Sequence, residues 1–394
     1  MSERVAFVWD ESLAEYDFGP THPLAPIRVQ LAVRLARDLR LLEDVTVLKA
    51  PRADDALLEL VHTRAYLDAV RVAAAAGPPY EDLAHGLGTD DVPVFAGMHD
   101  ASAHVVGATV EATRAVLTGG FDHAVNLAGG LHHAMPEAAS GFCVYNDPAI
   151  AIRWALEHGV ERVAYVDVDV HHGDGVERTF WDEPRVLTIS MHESAKTLFP
   201  GTGWPNDVGG PGAEGLAVNV GFPPKTDDDG WLRAFDAIVP ALLERFRPQL
   251  LVTQHGCDSH ILDPLGHLRL TVDGQRASYA RLHRLAHLHA GGRWVAVGGG
   301  GYAIVDVVPR AWAHLVGEIV GRPVVPTTLV PPVWVEHVTR LLGRRGMSTM
   351  SDGREPRPRP WADGWDVEDP VDRAVIATRA AVFPLHGLDP HLDL

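Results

Sequence analysis

Short apolar runs alternate along this chain with longer segments in which apolar residues recur every three or four positions. The run Val5–Trp9 predicts a buried strand, and the segment Pro26–Leu41 after it has the period of an amphipathic helix. Further strands are predicted at His123–Leu127, Arg162–Val170, Val186–Met191, Leu216–Val220, Leu250–Gln254 and Arg293–Val297, and further helices at Asp54–Ala76, Gly97–Leu117, Asp147–His158, Trp231–Phe246, Gln275–Ala290 and Val308–Val320. This alternation predicts an α/β fold, with an open, mostly parallel sheet and helices on both faces.

The pattern changes after Val320. Two segments there are proline-rich or polar, basic and low in complexity, which is typical of surface linkers, and two helical patterns could pack back on the main body. The linker-like segments are Pro323–Pro332 and Gly346–Pro360, and the helical patterns are Trp334–Leu342 and Val371–Val382. We therefore expect a main domain at residues 1–320 and an extension at 321–394 that packs partly on it.

Composition narrows the class of protein. The 394 residues are 46% hydrophobic and 22% charged, which is ordinary for a globular chain with a large core. A net charge of −18 repels phosphate backbones and anionic lipid surfaces, so neither nucleic acid nor a membrane is an expected partner. Cys143 and Cys257 are too few for a disulfide framework and are expected to be inert buried thiols. With no secretion-type leader and no long apolar run, a cytoplasmic location is expected.

The strand predicted at Arg162–Val170 carries unusual side chains. Asp167 and Asp169 lie in it and His171 follows, and the alternation of a strand would turn these three to one face. Buried carboxylates need partners, and two of them beside an imidazole outline a metal site. The alternative is a strand end whose acidic residues face solvent. That explanation is poor here, because five titratable groups fall within eight positions.

Three other predicted strands also end in polar residues. Asp258 follows one and could be a metal ligand or a helix cap; His132 and His133 follow another and could transfer protons or form a surface pair. Gly298–Gly301 lead to Tyr302, and their spacing does not fit a dinucleotide-binding loop. All four clusters fall after strand ends, where open α/β sheets place their ligands.

These residues suggest one catalytic metal. Asp169, His171 and Asp258 supply three ligands and leave a position for water, which permits hydrolysis of a carbonyl compound. A histidine would take and return the proton, and Tyr302 would donate a hydrogen bond to the developing oxyanion. The pair His283 and His287, four apart on a predicted helix, lacks the glutamate of a zincin helix and is interpreted as a solvated face.

Taken together, five motifs resemble the zinc-dependent histone deacetylase family of the arginase/deacetylase superfamily. They are GGLHHA (129–134), GFCVYND (141–147), DVDVHHGDG (167–175), CDSHILDPLGHL (257–268) and GGGGY (298–302). The resemblance spans approximately residues 5 to 320 in order. HPLAPIR at His22–Arg28 and DSHILDPLGHL are most similar to the bacterial acetoin-utilisation branch.

The resemblance implies roles for individual residues. Asp169, His171 and Asp258 would bind Zn²⁺, or alternatively Fe²⁺. For catalysis, the resemblance implies a histidine dyad of His132 and His133 backed by Asp167 and Asp174, and Tyr302 as the residue that polarises the carbonyl. For the substrate, it implies a tunnel walled by Phe142, Phe199 and Leu265, a binding carbonyl at Gly141 and a rim residue at Asp91. It also implies that Arg28 lines an internal acetate pocket. Without the family pattern, the phenylalanines would be taken for ordinary core residues.

The resemblance also implies structural K⁺ or Na⁺ ions. One would be held by Asp167 with backbone carbonyls of Asp169, His171, Ser190 and Met191, and a second by Phe180, Glu183, Val186 and Leu216. The sequence departs from many relatives at Leu198, where they carry a second aromatic residue beside Phe199.

The function expected is metal-dependent removal of acetyl groups from lysine side chains, with an acyl-CoA synthetase-type protein as target by analogy. One alternative is deacetylation of small acetylated amines such as polyamines, which a chain of net charge −18 would attract. A non-catalytic acyl-lysine binder is opposed by Tyr302 and the full ligand set. A binuclear manganese ureohydrolase would need additional bridging carboxylates.

Overall fold

Eight parallel strands form one sheet in the computed structural model, which describes residues 3–392. The strands are β1 (Val5–Val8), β2 (Thr46–Leu48), β3 (His123–Asn126), β4 (Val163–Asp167), β5 (Val186–Glu193), β6 (Ala217–Phe222), β7 (Leu250–Gln254) and β8 (Trp294–Val297). Their order across the sheet is β2-β1-β3-β8-β7-β4-β5-β6. All but β2 are almost fully buried, as expected for a parallel sheet covered on both faces.

Eleven α-helices are present among the described residues, and the longer ones cover the sheet. They are α1 (Ile27–Asp38), α2 (Asp55–Leu58), α3 (Arg64–Ala76), α4 (Met98–Leu117), α5 (Asp147–Glu157), α6 (Asp174–Phe180), α7 (Asp228–Phe246), α8 (Val272–His289), α9 (Val308–Ile319), α10 (Pro332–Leu342) and α11 (Pro370–Val382). In one layer, α1 packs on α9, α9 on α8 and α8 on α7. In the other layer, α3 packs on α4, α4 on α5 and α5 on α6. The predicted α/β architecture is confirmed.

Several boundaries differ from the sequence prediction. The single helix expected at Asp54–Ala76 is two helices, because Thr63 leaves the helical conformation and its hydroxyl caps α3 by accepting from the Tyr66 N–H. The strand β2 was not expected, since three half-exposed residues at a sheet edge leave no clear apolar run. The short helix α6 was also missed.

The strand expected at Arg162–Val170 ends earlier, at Asp167. The Asp167 carboxylate accepts a hydrogen bond from the Asp169 N–H at 3.1 Å, and the Asp169 carboxylate accepts one from the His171 N–H at 3.0 Å. Two successive turns closed by aspartate side chains therefore take the backbone out of the sheet. The expectation of a continuous strand through this motif was wrong.

Residues 320–392 contact the preceding part of the chain at several points. Arg233 on α7 forms a buried ion pair with Asp372 on α11, with Nε 2.6 Å from Oδ1. Asp352, in the segment interpreted as a surface linker, accepts hydrogen bonds from His260 Nε2 and Arg310 Nη1, both at 2.8 Å. The segment is therefore anchored at Asp352, because the Asp352 carboxylate contacts the buried Arg310 guanidinium.

Among residues 3–392, none of the helices is both long and apolar enough to cross a membrane.

Candidate active site

The polar motifs meet at the carboxyl edge of the sheet, where its four central strands end. β3, β8, β7 and β4 are neighbours in the sheet, and each leads into one of the four motifs. These motifs contain, in the same order, His132 with His133, Tyr302, Asp258, and Asp169 with His171. Sheet order therefore brings together residues that are far apart in sequence, at the edge where open parallel sheets bind ligands.

Asp169, His171 and Asp258 point their donor atoms at one another. His171 Nδ1 lies 3.1 Å from Asp169 Oδ1 and 3.1 Å from Asp258 Oδ2, and all three residues are buried. Their ligand atoms lie within 4.8 Å of one another. One imidazole nitrogen and two carboxylate oxygens at this spacing form a donor set that suits a divalent transition metal.

Hydrogen bonds hold the two carboxylates in this orientation. Asp169 Oδ2 accepts from Gln254 Nε2 at 2.7 Å and from the Gly300 N–H at 2.8 Å. Asp258 Oδ1 accepts from the Val170 N–H at 2.9 Å. Each carboxylate is thus left with one oxygen directed at His171, as in metal sites where outer hydrogen bonds orient the ligands.

The charges of this trio favour a cation between the carboxylates. Burial and the neighbouring Asp169 carboxylate raise the pKa of Asp258 to about 7, although His171 opposes them. Burial alone would lower the pKa of His171, but its contacts with Asp169 and Asp258 raise it to about 10. Two buried carboxylates that face each other are stabilised by positive charge, which a protonated imidazole or a bound metal ion supplies. The trio therefore fits a metal ion in both donor type and charge.

His132 and His133 form two carboxylate–imidazole pairs beside the trio. His132 Nδ1 is 2.7 Å from Asp167 Oδ2, and His133 Nδ1 is 2.7 Å from Asp174 Oδ1. The two Nε2 atoms are 3.1 Å apart. A carboxylate on Nδ1 leaves Nε2 as the atom that faces the site.

The two histidines differ in charge. Burial lowers the pKa of His132, but the carboxylates of Asp167 and Asp169 outweigh it and raise the pKa to about 9. Burial also lowers the pKa of His133, and the positive charge of His132 adds to this effect against the pull of Asp174. At neutral pH His132 is therefore cationic and His133 is neutral, able to accept a proton.

Tyr302 is placed by the glycine run and by Asp263. Its N–H donates to Asp263 Oδ2 at 2.7 Å, and its ring packs edge to face against Phe142 with centroids 5.7 Å apart. Gly300 lies so close to the trio Asp169, His171 and Asp258 that a side chain there would overlap the Asp258 carboxylate. A glycine is needed at this position so that the segment leading to Tyr302 can pass the trio.

Aromatic and apolar side chains lie around the trio and the dyad. The Phe199 ring is 46% exposed and lies 5.1 Å from the His133 ring, centroid to centroid. Phe142 lies against Tyr302 as described, and Leu265 is half-buried in the loop that continues from Asp258. Gly141 has a φ of +54°, and a side chain there would overlap the His133 imidazole.

Asp91 and Arg28 are engaged with the backbone of the site. Asp91 Oδ2 accepts from the Gly141 N–H at 2.6 Å, so this carboxylate supports the glycine. Arg28 on α1 is buried and donates from Nη1 to the carbonyls of Gly299 and Gly301 at 2.7 and 3.2 Å. Arg28 thus lies behind the glycine run, and its expected role in an acetate pocket stays a prediction.

The residues expected to hold monovalent cations lie on adjacent elements. Asp167 ends β4 and pairs in the sheet with Ser190 on β5, and Met191 follows. In the second set, the Phe180 carbonyl accepts from the Glu183 N–H at 3.0 Å, and the Glu183 carbonyl from Val186 at 3.2 Å. The carbonyl of Leu216 accepts from the Thr188 N–H at 2.8 Å. Both cation sites stay predictions.

Sequence reasoning missed several residues that support the site. Gln254 holds Asp169 from the end of β7, and the Tyr165 hydroxyl donates to Asp167 Oδ2 at 2.7 Å. Asn146 donates to the carbonyls of His132 and Ala134 at 3.2 and 2.9 Å, which fixes the dyad loop. A polar residue at a buried strand end could have identified Gln254. Asn146 lies in the quoted motif GFCVYND but was given no role.

The fold and this donor set define an α/β protein with a candidate mononuclear metal site at the carboxyl edge of its sheet. Residues 22–319 match the histone deacetylase domain. The chain belongs to the histone deacetylase family. It is 39% identical over 368 residues to the acetoin utilization protein AcuC of Bacillus subtilis (strain 168), which covers 93% of this chain and 92% of the relative. It is 34% identical over 337 residues to the AcuC of Staphylococcus xylosus, covering 85% and 87% of the two chains.

Proposed function

We propose that this chain is a metal-dependent deacetylase that removes acetyl groups from lysine side chains of proteins. The observation that carries the proposal is the convergence of the trio Asp169, His171 and Asp258 with a neutral, carboxylate-backed imidazole at His133 and with Tyr302. Family membership and the similarity to proteins named for acetoin utilization support it.

The trio would hold Zn²⁺, or Fe²⁺ as the alternative. Either ion would acidify a water molecule and polarise the acetyl carbonyl. The buried trio has two carboxylates and one imidazole, so a divalent ion leaves it close to neutral. Three protein ligands leave room for water and substrate, which is the arrangement of a catalytic site.

The remaining steps follow from the charges and contacts of the protein. His133 Nε2 takes a proton from the water that adds to the acetyl carbon, and His132 next to it is already cationic and stabilises the added negative charge. Tyr302 donates a hydrogen bond from its hydroxyl group to the carbonyl oxygen as negative charge develops there. When the C–N bond breaks, the proton on His133 passes to the leaving amine, and the products are acetate and lysine.

The walls of the site favour an alkyl chain over a polycation. Phe142 and Phe199 present apolar rings to the site. The four methylenes of lysine suit such walls, because apolar surface is buried without stranding a charge.

A substrate panel tests this proposal. Metal-loaded protein is assayed with acetyl-lysine peptides, free acetyl-lysine and acetylpolyamines, and kcat/KM is compared. We expect the highest kcat/KM for peptides and loss of turnover on chelation. A higher kcat/KM for acetylpolyamines than for peptides would indicate that the substrate is a small acetylated amine and not a protein. Peptide binding without turnover in metal-loaded protein would instead indicate a non-catalytic acyl-lysine binder.

A further inference from the structure

A second cluster of metal-ligating side chains lies at the amino edge of the sheet, opposite the catalytic trio. His123 is the first residue of β3, Glu3 lies two residues before β1, and His283 and His287 are four apart on α8. Residues spaced by four share one face of a helix, so both rings reach the same point. The interpretation of His283 and His287 as a solvated face was wrong for His283, whose side chain is largely buried, whereas His287 is exposed; both pack against His123.

The Nε2 atoms of the three rings converge on the Glu3 carboxylate. His283 Nε2 lies 3.2 Å from His123 Nε2 and 3.1 Å from His287 Nε2. Glu3 Oε1 lies 3.2 Å from His283 Nε2 and 2.9 Å from His287 Nε2, and Glu3 Oε2 lies 3.5 Å from His123 Nε2. Ligands of a tetrahedral Zn²⁺, with bonds of about 2.0–2.1 Å, are separated by about 3.3 Å. The cluster already has this spacing.

Hydrogen bonds do not use all of these atoms, because Glu3 Oε2 is buried and has no hydrogen-bond partner. An imidazole Nε2 either donates one hydrogen or accepts through one lone pair, yet His283 Nε2 faces two other Nε2 atoms and a carboxylate oxygen. As a donor it could serve one of the three; as an acceptor it would repel the carboxylate.

We propose that Glu3, His123, His283 and His287 form a second metal site that binds Zn²⁺ or another divalent ion that prefers imidazole ligands. Three nitrogens and one carboxylate oxygen select such ions over Mg²⁺ and Ca²⁺, which prefer oxygen. Four protein ligands fill a tetrahedral shell, so this site is structural and not catalytic. An ion there ties the segment before β1 to β3 and α8.

Access and surroundings agree with a structural ion. His123 is fully buried, whereas the His287 side chain is 44% exposed and leaves one open side for entry of the ion. The His283 ring stacks on Trp294 at 5.5 Å between centroids with an interplanar angle of 24°, which fixes one ligand in place. The ion would therefore order Glu3 and His287 around His123 and His283, which packing already holds in place.

The test uses the full chain with variants of the exposed ligand and of the catalytic trio. Zinc per chain is measured by elemental analysis after dialysis for wild type, His287→Ala, Asp258→Ala and the matched control His289→Ala, a half-buried histidine of the same helix outside the cluster. We expect two equivalents in wild type and His289→Ala, and one in each of the other two. His287 is half-exposed, so its loss leaves the fold intact.

A second readout separates the two sites. In the Asp258→Ala background, added Zn²⁺ should raise Tm, and adding His287→Ala should abolish the shift. An unchanged zinc count in His287→Ala, or an Asp258→Ala protein whose Tm does not respond to Zn²⁺, would overturn the second site. These results leave the proposed deacetylase untouched, because its activity on acetyl-lysine peptides is measured separately.

Discussion

At the scale of single residues, the adjacent histidines His132 and His133 differ in charge. His132 and His133 each contact a carboxylate at 2.7 Å, yet the pKa of His132 is raised to about 9 and that of His133 is lowered. The difference arises because two carboxylates, Asp167 and Asp169, act on His132, whereas His133 lies next to the cation on His132. Position within the pair therefore supports the proposed role of His133 as the base.

Replacing His133 by alanine tests this assignment. The variant lacks the neutral ring that accepts the proton, so kcat should fall by roughly 10²–10⁴-fold. Metal content should stay as in wild type, because the trio Asp169, His171 and Asp258 does not include His133. Wild-type kcat in His133→Ala across the pH range would remove His133 from the mechanism.

His62 provides a residue-scale prediction about pH. Its Nδ1 contacts the Met135 carbonyl at 3.1 Å, its Nε2 accepts from the Asn146 N–H at 3.0 Å, and burial lowers its pKa to about 4. Between this value and the unfolded pKa of about 6.5, the unfolded chain binds the proton, so stability is lost as pH falls. Protonation in the folded state would also cost the hydrogen bond from Asn146.

Chemical denaturation at about pH 7 and about pH 5 measures this effect. Over that interval wild type should lose about 2 kcal/mol more unfolding free energy than His62→Gln, since pH 5 lies 1.5 units below the unfolded pKa. The exposed residue His158, changed to Gln, is the control and should follow wild type. Equal losses in wild type and His62→Gln would show that His62 is not held neutral.

At the scale of elements, the segment around Asp352 contacts the loop that carries Asp258. Asp352 accepts from His260, two residues after Asp258, from Arg310 on α9 and from the Val272 N–H at the start of α8, each at 2.8 Å. These contacts, above all with His260 and Arg310, hold the pKa of Asp352 below its usual value against the effect of burial. The segment therefore joins three elements.

Changing Asp352 to alanine should lower the unfolding free energy by about 3 kcal/mol, because it leaves the buried Arg310 guanidinium without its carboxylate. Glu355→Ala is the matched control, since that side chain is 79% exposed and its removal should cost under about 0.5 kcal/mol. Denaturant titration of both variants measures the difference. Identical transition midpoints for Asp352→Ala and wild type would contradict the anchoring role.

Element boundaries show what sequence could and could not predict. Apolar periodicity located seven of the eight strands, because buried parallel strands are continuous apolar runs. It did not predict that β4 ends at Asp167 or that a helix begins at Arg64, since hydrogen bonds accepted by the Asp167 and Thr63 side chains decide these points. The same limit hid Asp352, whose partners His260 and Arg310 are distant in sequence.

At the scale of the whole molecule, the sheet has two clusters of ligating side chains at opposite edges among residues 3–392. The carboxyl-edge cluster was predictable, because motifs after strand ends must meet when the strands are neighbours. The amino-edge cluster of Glu3, His123, His283 and His287 was not, since only the packing of α8 against β3 brings His283 and His287 to His123. Motif reasoning finds residues that follow the ends of neighbouring strands, but it does not find residues that helix packing brings to the start of a strand.

The most direct test of the account is the change Tyr302→Phe, which deletes one hydroxyl and keeps the ring that packs on Phe142. Values of kcat, KM and metal content are measured for wild type and variant on an acetyl-lysine peptide. Loss of one oxyanion donor predicts a fall in kcat of roughly 10²–10³-fold, with KM little changed and the metal retained. An unchanged kcat in metal-loaded Tyr302→Phe would contradict the proposed mechanism.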